Sequence, residues 1–215
     1  MLPVRDEALR GLLRFVAAAL AAGALALALE GRVVASTLPL LQSWIDAIDG
    51  SFRTADLSLI SDKGEAVIRR LATPAQVLVL GGKVFAVDAR TEIATSALAG
   101  LMLQPLVVGC ALLLAWPWRR GGELLLRYAF GLPLLLLVVL VDVPLMLCGY
   151  AWSALVDAYE PGRFSPLIDW ADFMNAGGRF ALAVAAVAVA TALAQRCLGG
   201  GKPVAPLPAG GASGS

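Results

Sequence analysis

Polar residues in this chain gather at the ends of four long apolar runs, Leu12–Leu29, about Ala97–Trp116, Leu124–Gly149 and Arg179–Leu198. A helix needs about 20 mostly apolar residues to cross a bilayer, so each run predicts a transmembrane helix. Between the first two runs the period changes. Residues 33–48 place Val34, Leu38, Leu41, Trp44, Ile45 and Ile48 on one helical face, with Gln42, Asp46 and Asp49 opposite. That is an amphipathic helix, which lies on the membrane or continues the first span.

From Phe52 the spacing becomes that of strands: Phe52–Ile60, a turn at Asp62-Lys63-Gly64-Glu65, then Ala66–Ala72. Gln76–Leu80 and Lys83–Val87 flank Gly81-Gly82, a two-residue hairpin signal. Four such strands predict a small antiparallel sheet that cannot bury a core alone and leans on the Trp44 helix or on a partner. Structural support and docking through an exposed edge strand are equally open roles for it. Between the last two runs, Ser165 caps a predicted helix with Pro166 at its first position and Gly177 at its end. Ile168, Trp170, Phe173 and Met174 suit an interfacial face, with Asp169 and Asp172 toward water. This segment reads as a short re-entry on the bilayer or as a docking lid over the bundle.

The predicted fold is a membrane bundle of four transmembrane helices with a small extracytoplasmic α+β insertion between the first two. Its divisions are 1–30, an N-terminal arm and first span; 31–95, the amphipathic helix and sheet; 96–149, spans two and three; 150–178, a loop with an interfacial helix; 179–198, span four; and 199–215, a Gly/Pro/Ala/Ser tail too poor in apolar residues to order. The first run resembles the core of a secretory signal, but its length and the weak cleavage pattern at Val34-Ala35-Ser36 favour an uncleaved anchor.

Composition agrees. Of 215 residues, 59% are hydrophobic and 15% charged, with mean hydropathy +0.80, where a soluble domain carries about a quarter charged residues. The net charge of +1 comes without a basic stripe, which argues against nucleic acid as a partner. Cys110, Cys148 and Cys197 are odd in number and lie in or beside apolar runs, against a disulfide framework. The chain has no histidine, which removes histidine acid–base chemistry, the commonest zinc sites and haem ligation by histidine. No metal or cofactor is expected.

Arg5, Arg10 and Arg14 precede the first run, Arg119, Arg120 and Arg127 lie about the link between runs two and three, and Arg196 and Lys202 follow the fourth. The segment between runs three and four carries Asp157, Glu160, Asp169 and Asp172. The positive-inside rule puts both termini in the cytoplasm. The basic residues between Arg32 and Arg90 do not oppose this, because segments of that length translocate largely regardless of charge. Trp116, Trp118, Tyr128, Tyr150 and Trp152 stand where spans meet water, as anchors.

Asp142 is the one carboxylate inside an apolar run, where an unpaired charge costs several kcal/mol. Gln104 in run two, Arg179 at the start of run four and Glu30 at the end of run one complete a candidate intramembrane polar cluster. It holds helix register, lines a substrate path, or awaits a partner protein. Ala17, Ala21, Ala181 and Ala185 offer small-residue spacing for close helix approach. Trp44, Trp170, Phe173, Asp169 and Asp172 form a candidate docking surface. Enzyme signatures fail: a Cys–His pair needs histidine, an intramembrane aspartyl protease needs two acids at depth, and Gly81-Gly82-Lys83 sits in a hairpin, not before a helix as a phosphate loop requires.

Leu114-Ala115-Trp116-Pro117, Gly131-Leu132-Pro133, Leu140-Val141-Asp142-Val143-Pro144 and the stretch from Phe164-Ser165-Pro166 to Asn175-Ala176-Gly177-Gly178-Arg179 resemble small four-span membrane proteins associated with exosortases, notably the exosortase H type. The resemblance spans most of Leu12–Arg196. It implies a non-enzymatic accessory of a protein-sorting system in the bacterial inner membrane, embedded in lipid and partnered by another integral membrane protein such as an exosortase. A small transporter or permease subunit using Asp142 in a polar pathway is the alternative from a different class. An envelope sensor is a third, with no output domain to support it.

Overall fold

The computed structural model describes residues 3–87, 92–118 and 121–199. The chain is mostly helical, with a small antiparallel sheet and three helices long and apolar enough to cross a membrane. Helix α1 runs unbroken over Pro3–Ile48, so the amphipathic stretch continues the first apolar run instead of lying apart from it. Its 46 residues reach about 69 Å at 1.5 Å per residue, more than twice a bilayer's hydrocarbon core. Leu12, Leu20, Leu25 and Leu27 are 58–76% exposed, a greasy face left open among the described residues.

Strands β1 (Phe52–Asp62) and β2 (Glu65–Pro74) pair antiparallel across a two-residue turn at Lys63-Gly64. Both turn residues have positive φ, 50° and 87°, the twist that hairpins favour. The predicted single sheet of four strands is corrected here. The main sheet has the order β1-β2-β5, and β3 (Leu78–Leu80) and β4 (Lys83–Phe85) form a separate two-stranded hairpin. Strand β5, Ile93–Leu98, takes Ala97 and Leu98 from the predicted start of the second span. Its residues are small and give little strand signal, yet Thr95 and Ala97 are buried between exposed Ala94, Ser96 and Leu98, the alternation of a half-buried strand.

Helix α2 (Ala99–Ala115) follows β5 with no intervening loop. At 17 residues it is about 26 Å long, just short of the hydrocarbon thickness. Helix α3 covers Gly121–Tyr159, so ten residues assigned from sequence to a loop are helix. They are held by the sheet side of the molecule: Leu155, Trp152 and Tyr159 pack with Phe52, Leu78, Leu80 and Phe85. Gly81 and Gly82 turn the β3–β4 hairpin with φ of 54° and 77°. A Cβ on Gly81 would lie 1.9 Å from the Tyr159 carbonyl oxygen, so only glycine lets this turn seat against the end of α3. The Tyr159 ring receives Phe85 edge-on and Lys83 over its face.

Helix α4 (Pro166–Phe173) joins α5 (Arg179–Gly199) through a widened turn, Met174–Gly178, broken by Gly177 at φ 111°. Ser165 is the N-cap residue of α4, but its hydroxyl makes no capping bond; its carbonyl accepts from the amides of Ile168 and Asp169. Ala171 is 2% exposed, and α4 packs on α3 where Gly149 leaves room.

Two cores result. One joins Val34, Leu41 and Ile45 of α1 with Ile68, Met102, Val143, Met146 and Leu147, so the sheet leans on α1 and α3 together. Trp44 is not part of it and is 39% exposed. The other joins Leu113, Leu135, Ala183, Val187 and Ala190. Here Gly109 faces Leu135 and Gly131 faces Leu113, a reciprocal glycine–leucine fit between α2 and α3. In α5 the buried stripe is Ala183, Ala186, Ala190 and Ala194, and Ala181 and Ala185 face outward; Ala17 and Ala21 are likewise exposed. The expected tail beyond 199, and Arg119, Arg120 and Lys202, lie outside the described residues.

A methyl on Gly149 would come within 2.4 Å of the Leu167 carbonyl oxygen, and one on Gly31 would meet nothing within 4 Å. Gly149→Ala is therefore expected to cost about 1–3 kcal/mol through overpacking, and Gly31→Ala to be neutral or slightly stabilising through helix propensity. Thermal unfolding of the two variants in detergent checks the contrast.

Candidate functional site

The four residues of the predicted polar cluster divide into two sites. Arg179 donates from Nε to Oδ2 of Asp142 at 2.7 Å, and a second guanidinium nitrogen touches the Met146 sulfur. Asp142 is 1% and Arg179 3% exposed. Two features of the sequence create this contact. Pro144, inside α3, removes an amide donor two residues past Asp142 and loosens the helix there. Gly177 turns the chain so that Arg179 opens α5 facing α3. An arginine at a helix N-terminus opposes the macrodipole, and the carboxylate offsets that cost. Asp142 Oδ1 has no hydrogen-bond partner among the described residues.

Gln104 and Glu30 do not join this pair. They line a cleft of about 600 Å³ between α1, α2 and the β1–β2 turn, which Phe180 and Glu65 also border and Asp142 and Arg179 do not. The Glu30 carboxylate lies beside Gly100, in the first turn of α2. That turn has no acidic residue and no side-chain cap of its own, and Glu30 makes no side-chain hydrogen bond to it among the described residues.

On the candidate docking surface, the Trp170 and Phe173 rings meet at a tilt of 56°, with centroids 6.1 Å apart. Asp169, Asp172 and Phe173 are exposed, and the Trp170 indole nitrogen is buried without a partner among the described residues. Tyr150 and Asn175 exchange hydrogen bonds that tie the turn after α4 to α3. Trp44 lies on α1 and makes no ring contact with the α4 aromatics among the described residues.

The burial of two arginines escapes the sequence reading, in which Arg127 is only a charge flanking the link between runs two and three. Arg127, 1% exposed, donates to the carbonyls of Trp116 and Pro117 at 3.2 and 3.1 Å and pairs with Glu123. It thereby closes the open carbonyl end of α2, where cations are favoured. Arg70, 0% exposed, donates to Thr54 Oγ1 at 3.2 Å and approaches the Cys148 sulfur at 3.6 Å. Its strand alternates Ile68, Arg70 and Ala72 on the buried face, a period-2 signal that could have revealed it. Asp49 stands near. Burial raises its pKa above the usual carboxylate range, while the Ser51 amide and the charge of Arg70 pull it back. Arg70 Nη2, Thr95 Oγ1 and Asp49 Oδ2 lack partners among the described residues, and Thr95 is Arg70's cross-strand neighbour. The three free cysteines are Cys110, partly exposed, Cys148, buried, and Cys197, exposed. Among the described residues no group of three or more Cys, Asp or Glu side chains is placed to hold a metal ion.

Removing one member of a buried ion pair strands the other and costs about 3–5 kcal/mol, whereas replacing both by apolar groups is often neutral. Asp142→Leu and Arg179→Met are each expected to lower the unfolding temperature sharply, and the double variant Asp142→Leu with Arg179→Met to recover most of the loss. Thermal melts of the native chain and these three variants test this as a double-mutant cycle. For Asp49 the folded state takes up a proton more readily than the unfolded one, so its contribution falls as pH rises from 3.8 through the raised folded value. Arg70→Met removes a group that lowers that value. The decline is then expected to move to higher pH and deepen, read from unfolding temperature against pH, and Asp49→Asn in the same background abolishes it.

No family model, curated protein sequence or solved structure matches this chain.

Proposed function

We propose that this protein is a non-enzymatic, multi-pass scaffold of the bacterial inner membrane that assists another integral membrane protein, of the kind that serves exosortase-type sorting. In this reading α2 is the fourth span beside α1, α3 and α5, both termini are cytoplasmic, and the sheet with α4 faces the outer compartment. The observation that carries the reading is the rigid presentation of α4. It is clamped on α3 at Gly149 and Ala171, yet it leaves Phe173 49% and the preceding Phe164 75% exposed beside Asp169 and Asp172. Aromatic side chains on a fixed support make good interface anchors because little conformational freedom is lost on binding.

The closed packing about Asp142 favours this reading over a transport pathway. One carboxylate oxygen accepts from Arg179, and Asp142 does not border the cleft at Glu30 and Gln104. Its role is to lock α3 to α5 and so fix the position of α4.

Mild-detergent purification from the native host, with mass spectrometry of accompanying proteins, is expected to recover one integral membrane partner in stoichiometric amount. Phe164→Ala with Phe173→Ala should reduce that recovery about tenfold or more, as loss of interface anchors does, without changing the unfolding temperature. Recovery of the protein alone, or a partner unaffected by the aromatic variants and by Asp142→Asn, would sink the scaffold reading.

A further inference from the structure

We infer that the cleft between α1 and α2 is a binding site for a phospholipid with a primary ammonium headgroup, of the phosphatidylethanolamine type. The inference rests on membrane embedding and is independent of the scaffold role. At about 600 Å³ the cleft falls among small-ligand sites, which span about 300–1,000 Å³ and combine apolar walls with a few polar groups. Its polar groups lie at one end. Glu30 comes from α1, Glu65 from the β1–β2 turn and Gln104 from α2, with no lysine or arginine among the lining residues. None of the three makes a side-chain hydrogen bond or ion pair among the described residues.

The same end holds the start of α2. Leu98 caps it without a side-chain bond, and the first amides of any helix lack intrahelical acceptors. Gly100 has no side chain to cover them. An uncapped helix start beside two carboxylates is complementary to a zwitterion: the helix amides and their dipole hold the phosphate, and Glu30 and Glu65 accept from the ammonium. A purely anionic headgroup would gain the first interaction and suffer repulsion from the second.

Below this end the wall becomes apolar. Gly23 stands seven residues, about 10 Å, from Glu30 along α1, and a Cβ there would meet nothing within 4 Å. Opposite it run Leu103 and Val107 of α2. Leu27, at the rim, is 76% exposed, so the groove opens sideways to the hydrocarbon and an acyl chain enters without crossing the protein.

The test uses the full chain reconstituted in vesicles of equal parts phosphatidylethanolamine and phosphatidylglycerol, re-extracted in mild detergent, with retained lipid weighed by native mass spectrometry. The expected result is one retained phosphatidylethanolamine in preference to phosphatidylglycerol. Glu30→Gln with Glu65→Gln should reduce that preference about fivefold or more, the ratio that a kcal-scale contact gives. Gly23→Leu fills the groove at a position with open space and better helix propensity, and should abolish retention of the lipid while leaving the unfolding temperature unchanged. Equal retention of the two lipids overturns the inference, as does retention unaltered by Gly23→Leu. If the carboxamide variant fails to fold, the Gly23→Leu arm and the lipid preference of the native chain decide.

Discussion

An arginine at the first turn of α5 and an aspartate inside α3 are both removed from solvent, and neither can remain so without the other. Their 2.7 Å contact is the constraint on which the upper half of the molecule depends. Buried pairs of this kind contribute little net stability against an apolar replacement, but they penalise every arrangement that separates them. Here the penalised alternatives are a shift of α5 along α3 or a rotation of either helix. Fixing α5 fixes the turn at Gly177, which in turn delivers α4 onto Gly149. One electrostatic requirement thus sets the place of three helices.

Helix α3 is the spine on which the rest is laid. One side meets α2 through reciprocal glycine–leucine contacts at Gly109 and Gly131, and another receives α5. Its last turns leave the bundle and support the sheet and the β3–β4 hairpin through Trp152, Leu155 and Tyr159. A three-stranded sheet and a two-stranded hairpin are each too small to stand alone. They persist because two long helices, α1 and α3, overshoot the bundle on the same side and supply the missing core. Some of the polar groups that this assembly buries are met locally: Arg127 closes α2 at one end, and Arg70 donates to Thr54 within the sheet, while Arg70 Nη2, Thr95 Oγ1 and Asp49 Oδ2 keep no partner among the described residues.

The cleft at Glu30 follows from the same construction. Strand β5 runs directly into α2, so the start of that helix is uncapped by any side chain of its own. The β1–β2 turn reaches over it with Glu65, and α1 passes beside it with Glu30. A cleft with its polar groups gathered at one end arises from three elements distant in sequence.

Apolar run length and turn chemistry made most of the elements legible. The helices about Leu12–Leu29, Leu124–Gly149 and Arg179–Leu198, the turns at Lys63-Gly64 and Gly81-Gly82, and the Pro166 helix start all stand where local preference puts them, because backbone conformation there is decided within a few residues. Strand β5 was not legible. Ile93–Leu98 is small-residued and abuts an apolar run, and pairing with β2 alone makes it a strand. The sequence by itself also marked Asp142 as costly and Arg179 as a candidate neighbour, since a charge in an apolar run demands a partner. Which candidates meet was decided by tertiary structure: the Gly177 turn brings Arg179 to Asp142, while Gln104 and Glu30 face a different cleft. Depth along a helix can be counted from residues, but the direction a side chain faces depends on how each helix is rotated against its neighbours, and that is fixed by packing.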